Sequence, residues 1–123
     1  MFAVLSSLVK LPPAVRFGRR SCTIYALVDP REPSVWRYIG RSFRPEGRRF
    51  QHMRQSMRVR RGATEKERWI KNLLQAGLLP SAVTLEGGIP LRDARAREQL
   101  WIRRALRECH PLTNAVRYYK RNC

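Results

Sequence analysis

A small α/β domain of about three strands, with helices packed on the sheet, is what this chain of 123 residues predicts. Two strings, Thr23-Ile24-Tyr25 and Tyr38-Ile39-Gly40, each set a tyrosine among strand-forming residues. Phe50, Met53 and Met57 then recur at the three-and-four spacing of a helix. Thr64 with Glu67 makes a capping box ahead of Trp69, Ile70, Leu73 and Leu74 on one helical face.

Taken in order, the first strand covers Thr23 to Val28, rich in β-branched and aromatic residues. Asp29-Pro30 and Glu32-Pro33-Ser34 are turn chemistry. Trp36 to Ile39 returns as a second, antiparallel strand, ended by Gly40. Pro45 suits the first position of a helix running from Glu46 to about Arg58, and Gly62 closes it. The capped helix after Thr64 ends where Gly77 supplies a C-terminal cap. Ser81 to Leu85 is a short strand stopping at Gly87-Gly88. A last helix runs from about Leu91 to Glu108, with Leu91, Ala94, Glu98, Trp101, Ile102, Ala105 and Leu106 on one stripe. Leu100 falls off that stripe.

Length and a hydrophobic content of 43% suit one globular domain with a modest core. The organisation expected is a basic, loosely ordered or targeting-like arm over 1–20, a domain over 21–116, and a short basic tail over 117–123. Lys and Arg number 26 against 9 Asp and Glu, a net charge of +17 carried mostly by arginine. Such a surplus favours a polyanionic partner held through phosphate contacts. Three cysteines without CxxC spacing argue for a reducing compartment and against a disulfide scaffold. Met1 to Val9 is apolar but too short to span a bilayer. The acid-free stretch through Val28 fits either an organellar transit peptide or an arm that touches nucleic acid. Localisation is therefore expected to be cytoplasmic or nucleoid-associated, with an organelle as the other outcome.

Glu98 is the sharpest single residue, because a carboxylate on a core-facing stripe is costly when ionised and unpaired. Either an arginine pairs with it, or it faces a cleft and holds a hard divalent cation. Mg²⁺ takes only one or two carboxylates and completes its shell with water and phosphate oxygens. Arg48 and His52, four residues apart, leave the same side of their helix. That pair suits a phosphate clamp beside a proton-transfer group, or else a surface pair on a basic helix. Tyr25 and Tyr38 are ordinary sheet residues unless cationic neighbours activate a phenol. Asn114 is a turn residue or a hydrogen-bonding group at the site.

Taken together, TIYALVDP, WRYIGRS, RRFQH, RAREQLWIRRAL and HPLTNA resemble the motifs of the GIY-YIG nuclease superfamily, covering roughly Thr23 to Ala115. Thr23 stands where that family has its first glycine. The resemblance implies a central three-stranded antiparallel sheet flanked by helices and one-metal cleavage of DNA. It implies catalytic roles for Tyr25, Tyr38, Arg48, His52 and Glu98, with Glu98 holding one Mg²⁺ or Mn²⁺ ion. It places Arg41 and Asn114 against the substrate, and the basic run Arg54, Arg58, Arg60 and Arg61 is expected to position the backbone. The function expected is a DNA endonuclease with little built-in sequence specificity, acting as a monomer or transient dimer and not on membranes. The alternatives are a catalytically inactive domain of the same kind, or a basic structural protein, binding branched DNA or RNA.

Overall fold

A computed structural model of the chain describes residues 21–43, 51–52 and 64–115. The expected arm, the tail, and all but two residues of the Glu46–Arg58 helix lie outside the described residues, as do Arg48, Arg54, Arg58, Arg60 and Arg61. Within them, β1 (Ser21–Val28), β2 (Trp36–Ser42), α1 (Glu65–Gln75), β3 (Ser81–Pro90) and α2 (Leu91–Arg107) follow one another, and Gln51 and His52 are helical. The strands form one antiparallel sheet in the order β2-β1-β3. The result is a small α/β domain with β1 at its centre.

That central position explains the composition of β1. Cys22 through Val28 are all buried, because helices and neighbouring strands cover both faces. On one face Ile24 and Ala26 join Ile39 and Ile89 beneath Ala94, Ile102, Ala105 and Leu106 of α2. On the other, Tyr25 and Leu27 join Ala82 beneath Ile70 of α1. The alternation of the strand thus sends consecutive residues into two separate cores. No helix among the described residues is long and apolar enough to cross a membrane.

Both helices end by the same device. The Thr64 half of the expected capping box is present, with Glu67 N–H donating to Thr64 Oγ1 at 3.2 Å. At the far end of α1, Leu78 N–H reaches Leu73 O and Gly77 N–H reaches Leu74 O, with Gly77 at φ 75°. In α2, His110 N–H reaches Ala105 O and Cys109 N–H reaches Leu106 O, with Cys109 at φ 64°. Each is the paired carbonyl cap that follows a left-handed residue, and only the first uses glycine.

Two strand ends and one thiol depart from expectation. β2 does not stop at Gly40 but runs to Ser42, because Gly40 and Arg41 keep their pairing with Tyr25 and Ile24. β3 does not stop at Leu85 but continues to Pro90 through two register shifts, with Gly88 at φ 67°. The pairs Tyr25↔Thr84 and Ile24↔Glu86 skip Leu85, so a bulge carries the strand through a sequence that reads as its end. Cys109 is disulfide-bonded, against the expectation of reduced thiols, since pairing cannot be read from three irregular spacings. Cys22 is a free, buried thiol.

The outer edge of β2 is closed by the segment that follows α2. Trp36 N–H donates to His110 Nδ1, whose ring stacks on Trp36 at 4.4 Å. Arg37 O accepts from both the backbone N–H and the hydroxyl of Thr113. Asn114 brackets Ile39, accepting from its N–H and donating to its C=O, each at 2.9 Å. One side chain thereby imitates a neighbouring strand and protects an edge. Asn114→Ala removes both bonds and should cost about 2 kcal/mol in urea unfolding at pH 7, taking about 1 kcal/mol per bond. A cost below about 0.5 kcal/mol would remove the bracket from the account of stability.

Candidate active site

The site begins with a glycine. Gly40 lies opposite Tyr25 across the β1–β2 ladder. A Cβ at Gly40 would sit 2.5 Å from the Tyr25 hydroxyl, 2.7 Å from its Cζ, and 3.0 Å from a ring carbon of Tyr38. The phenol of Tyr25 therefore rests against the backbone of β2 in space that only glycine leaves open. Its hydroxyl lies 3.1 Å from Nε2 of His52, and both residues have zero exposure. An oxygen and a nitrogen at that distance, out of water, can pass a proton or hold one fixed, depending on the histidine tautomer.

Tyr38 completes this face. Its ring meets His52 edge-on at 5.0 Å and Tyr25 at 6.5 Å, while Lys66 Nζ stands 5.0 Å from its centroid. It is half-buried, unlike Tyr25 and His52. A cation over a phenol ring favours the ring electrostatically. β1, β2, α1 and the helical residues Gln51–His52 thus converge on one aromatic and imidazole cluster.

Glu98 belongs to the other face of the sheet. It stands on α2, and Arg41 Nη1 approaches its Oε1 at 3.6 Å, beyond hydrogen-bond distance. Its side chain is 23% exposed. Desolvation pushes the Glu98 carboxyl above its usual range, outweighing the attraction of Arg41 and Arg95. The carboxylate is under-compensated by its cationic neighbours, with some surface left open. That donor fits a divalent cation that needs one protein carboxylate and takes its other oxygens from water and phosphate. No cluster of three or more His, Cys, Asp or Glu occurs among the described residues.

The predicted residues therefore fall into two groups joined through consecutive residues of β2. Gly40 seats Tyr25 on one side, and Arg41 meets Glu98 on the other. Arg48, expected beside His52, lies outside the described residues. Both amide groups of Asn114 are spent on the Ile39 backbone, so here it holds β2 in place.

Sequence reading missed Gly40 as a seat, although a glycine inside a strand is a signal of close backbone approach. It also missed Glu86, where the bulge aims a carboxylate at α2. There Trp101 Nε1 donates to Oε1 at 2.8 Å and Arg97 Nη2 pairs with it at 2.8 Å. The Trp101 hydrogen bond, then Arg97, hold the Glu86 carboxyl below its usual range. Glu86 is the well-compensated acid beneath α2, and Glu98 is the poorly compensated one.

Comparison with protein-family models, with curated proteins and with solved structures finds no match.

Two measurements follow from the geometry. Gly40→Ala must displace a ring packed in the core, and should lower stability by about 1–3 kcal/mol while breaking the Tyr25–His52 pair. Urea unfolding and the shift of the His52 ring resonances check both halves. For Glu98, a carboxyl with a folded pKa above its unfolded one binds a proton on folding across that window. Its unfavourable effect is absent at low pH and grows as pH rises through the window. The stability of Glu98→Gln relative to the unsubstituted protein should therefore increase from about pH 4 to about pH 8. A pH-independent difference would show that burial does not govern this carboxylate.

Proposed function

We propose that the protein is a metal-dependent endonuclease of the GIY-YIG type, hydrolysing phosphodiester bonds in DNA with little sequence preference. The observation that carries this is the seating of the Tyr25 phenol on Gly40 at 3.1 Å from His52. The two tripeptides that carry the resemblance meet at that point, opposite one another across the β1–β2 ladder. A motif match alone would explain the residue types without requiring them to touch.

In this reading Tyr25 positions or deprotonates the attacking water, and His52 holds the exchanged proton. Tyr38, edge-on to His52 and under Lys66, tunes that network. Glu98 would hold one Mg²⁺ or Mn²⁺ ion, whose bound charge supplies stabilisation at the scissile phosphate and the leaving oxygen. Arg41 brings a guanidinium to the same phosphate from β2, and Arg48 takes up negative charge that develops in the transition state. Arg54, Arg58, Arg60 and Arg61 grip the backbone, as does a basic arm over 1–20. A grip made of phosphate contacts gives steep salt dependence and little base discrimination. The protein acts where DNA is, in the cytoplasm or nucleoid, or in an organelle if the first twenty residues serve as an address.

A second reading has its own observation. Tyr25 and His52 have zero exposure, and Arg41 already faces Glu98. Such an arrangement also suits a domain that binds branched DNA or RNA and no longer cuts it.

A nicking assay on supercoiled plasmid and branched DNA, with binding measured alongside, separates the two. Cleavage in Mg²⁺ or Mn²⁺ is expected, abolished by EDTA, with Glu98→Gln slower by about 100-fold or more and binding kept. Binding without cleavage by either protein would assign the retired domain. Cleavage equal in Glu98→Gln and the unsubstituted protein would remove the metal from Glu98.

A further inference from the structure

Two arginines flank the turn between β1 and β2, and only one of them is spent on an acid. Arg31 grips Asp29, with Nε donating to the carboxylate at 3.0 Å and Nη2 at 2.8 Å. Hydrogen bonding from Arg31 is the first cause holding the Asp29 carboxyl below its usual range, and the charge of Arg37 is the last. Among the described residues Arg37 meets no carboxylate at ion-pair distance. Its Nε is buried and has no hydrogen-bond acceptor.

Arg37 points where it does because β2 bulges. Leu27 pairs with Tyr38 and Val28 with Trp36, so Arg37 is the extra residue opposite no partner. Strict alternation would turn it away from the face that carries Tyr38. Instead its Cζ lies 5.5 Å from the ring centroid of Trp69, which packs against the cluster of Tyr25, Leu27 and Ile70. On α1, Lys66 precedes Trp69 by three residues and so stands beside it. Lys66 Nζ in turn lies 5.0 Å from the Tyr38 centroid. Two adjacent strand residues thus meet two neighbouring helix residues, and the seam between β2 and α1 carries two cations.

The contact with Trp69 does not by itself account for an arginine. A guanidinium is always charged, and a buried N–H without an acceptor is costly. An apolar side chain would cover the indole without that cost. Arg37 is half-buried, so part of it is open to solvent. A planar fork with an uncommitted Nε, beside a second cation, complements an oxyanion that takes Nε and one Nη together. For a chain of net charge +17 the matching polyanion is a nucleic-acid backbone.

We infer that the β2–α1 seam is a phosphate-binding site for the backbone of nucleic acid, with Arg37 as its contact residue. This rests on the nucleic-acid reading, in its cutting or its non-cutting form, and adds a residue that the motifs do not include. A small turn of the fork brings Nε to the phosphate, while Trp69 restrains the side chain beforehand. The site holds the strand beside Tyr38 and fixes the backbone without reading bases.

The test measures affinity for a short DNA duplex against salt, in EDTA, using the full chain. Arg37→Gln and Arg37→Leu are compared with Arg31→Gln, which removes the same charge from the same turn. Leucine keeps an apolar stem on Trp69, circular dichroism verifies folding, and either folded Arg37 variant decides the matter. Loss of one phosphate contact should flatten the slope of log affinity against log salt by about 0.9 in the Arg37 variants. The slope of Arg31→Gln should stay that of the unsubstituted protein. An unchanged slope in a folded Arg37 variant would overturn the inference and leave the Arg37–Trp69 pair to stability alone. Equal flattening in Arg31→Gln would reduce Arg37 to general charge and overturn it as well. So would unchanged duplex binding with lost binding to phosphatidylserine vesicles, which would give the seam to a membrane surface. If the unsubstituted chain binds no duplex, or binds it without salt dependence, the nucleic-acid reading fails first and the inference falls with it.

Discussion

The contact between the Tyr25 ring and the backbone of Gly40 is the constraint around which the described domain is arranged. The central strand must place a large aromatic side chain towards a neighbouring strand, and that strand must present nothing there. Everything nearby follows from keeping those two chains in register. Tyr38 covers the ring from the same strand, His52 closes over the hydroxyl, and Ile70 and Leu27 exclude water beneath. A one-residue slip of β2 would put Ile39 or Arg41 against the phenol and send Tyr38 to the opposite core.

Register on β2 is in turn held from outside. Four consecutive residues carry four separate duties: Tyr38 packs on His52, Ile39 is bracketed by Asn114, Gly40 seats Tyr25, and Arg41 faces Glu98. The segment after α2 closes the edge at Trp36, Arg37 and Ile39, over a sequence separation of 75 residues between Ile39 and Asn114. Ends of the chain that are remote in sequence are thereby made to fix one strand. The same strand links the Tyr25–His52 pair on one face of the sheet to the Glu98 carboxylate on the other.

The elements governed by local chemistry were legible in the sequence. The Thr64 cap, the Gly77 stop, the α2 stripe and the solvent position of Leu100 all depend on residues within a turn or two of each other. Tyr25, Tyr38, His52 and Glu98 could be picked out by residue type, and the first three come together. What could not be read was pairing over distance. Gly87 and Gly88 look like a strand end, yet β1 keeps hydrogen-bonding past them by bulging β3. Glu86 carries no signal in the sequence, because the bulge that turns it to Trp101 and Arg97 is set by strand pairing. Asn114 read as a turn residue on local grounds and as a substrate-side group by resemblance, because its partner, the Ile39 backbone, leaves no trace in side-chain identity.

The most direct test of the central claim is the rate of plasmid nicking by Tyr25→Phe in Mg²⁺, with duplex affinity and thermal stability measured on the same preparation. The substitution removes one oxygen and leaves the ring on Gly40. The account predicts a fall in nicking of about 100-fold or more, as expected for loss of a proton-transfer group, with duplex affinity within about twofold of the unsubstituted protein, because the buried hydroxyl contacts His52 rather than phosphate. Nicking at the unsubstituted rate by a folded Tyr25→Phe would contradict it, leaving the Tyr25–His52 pair as a piece of the core.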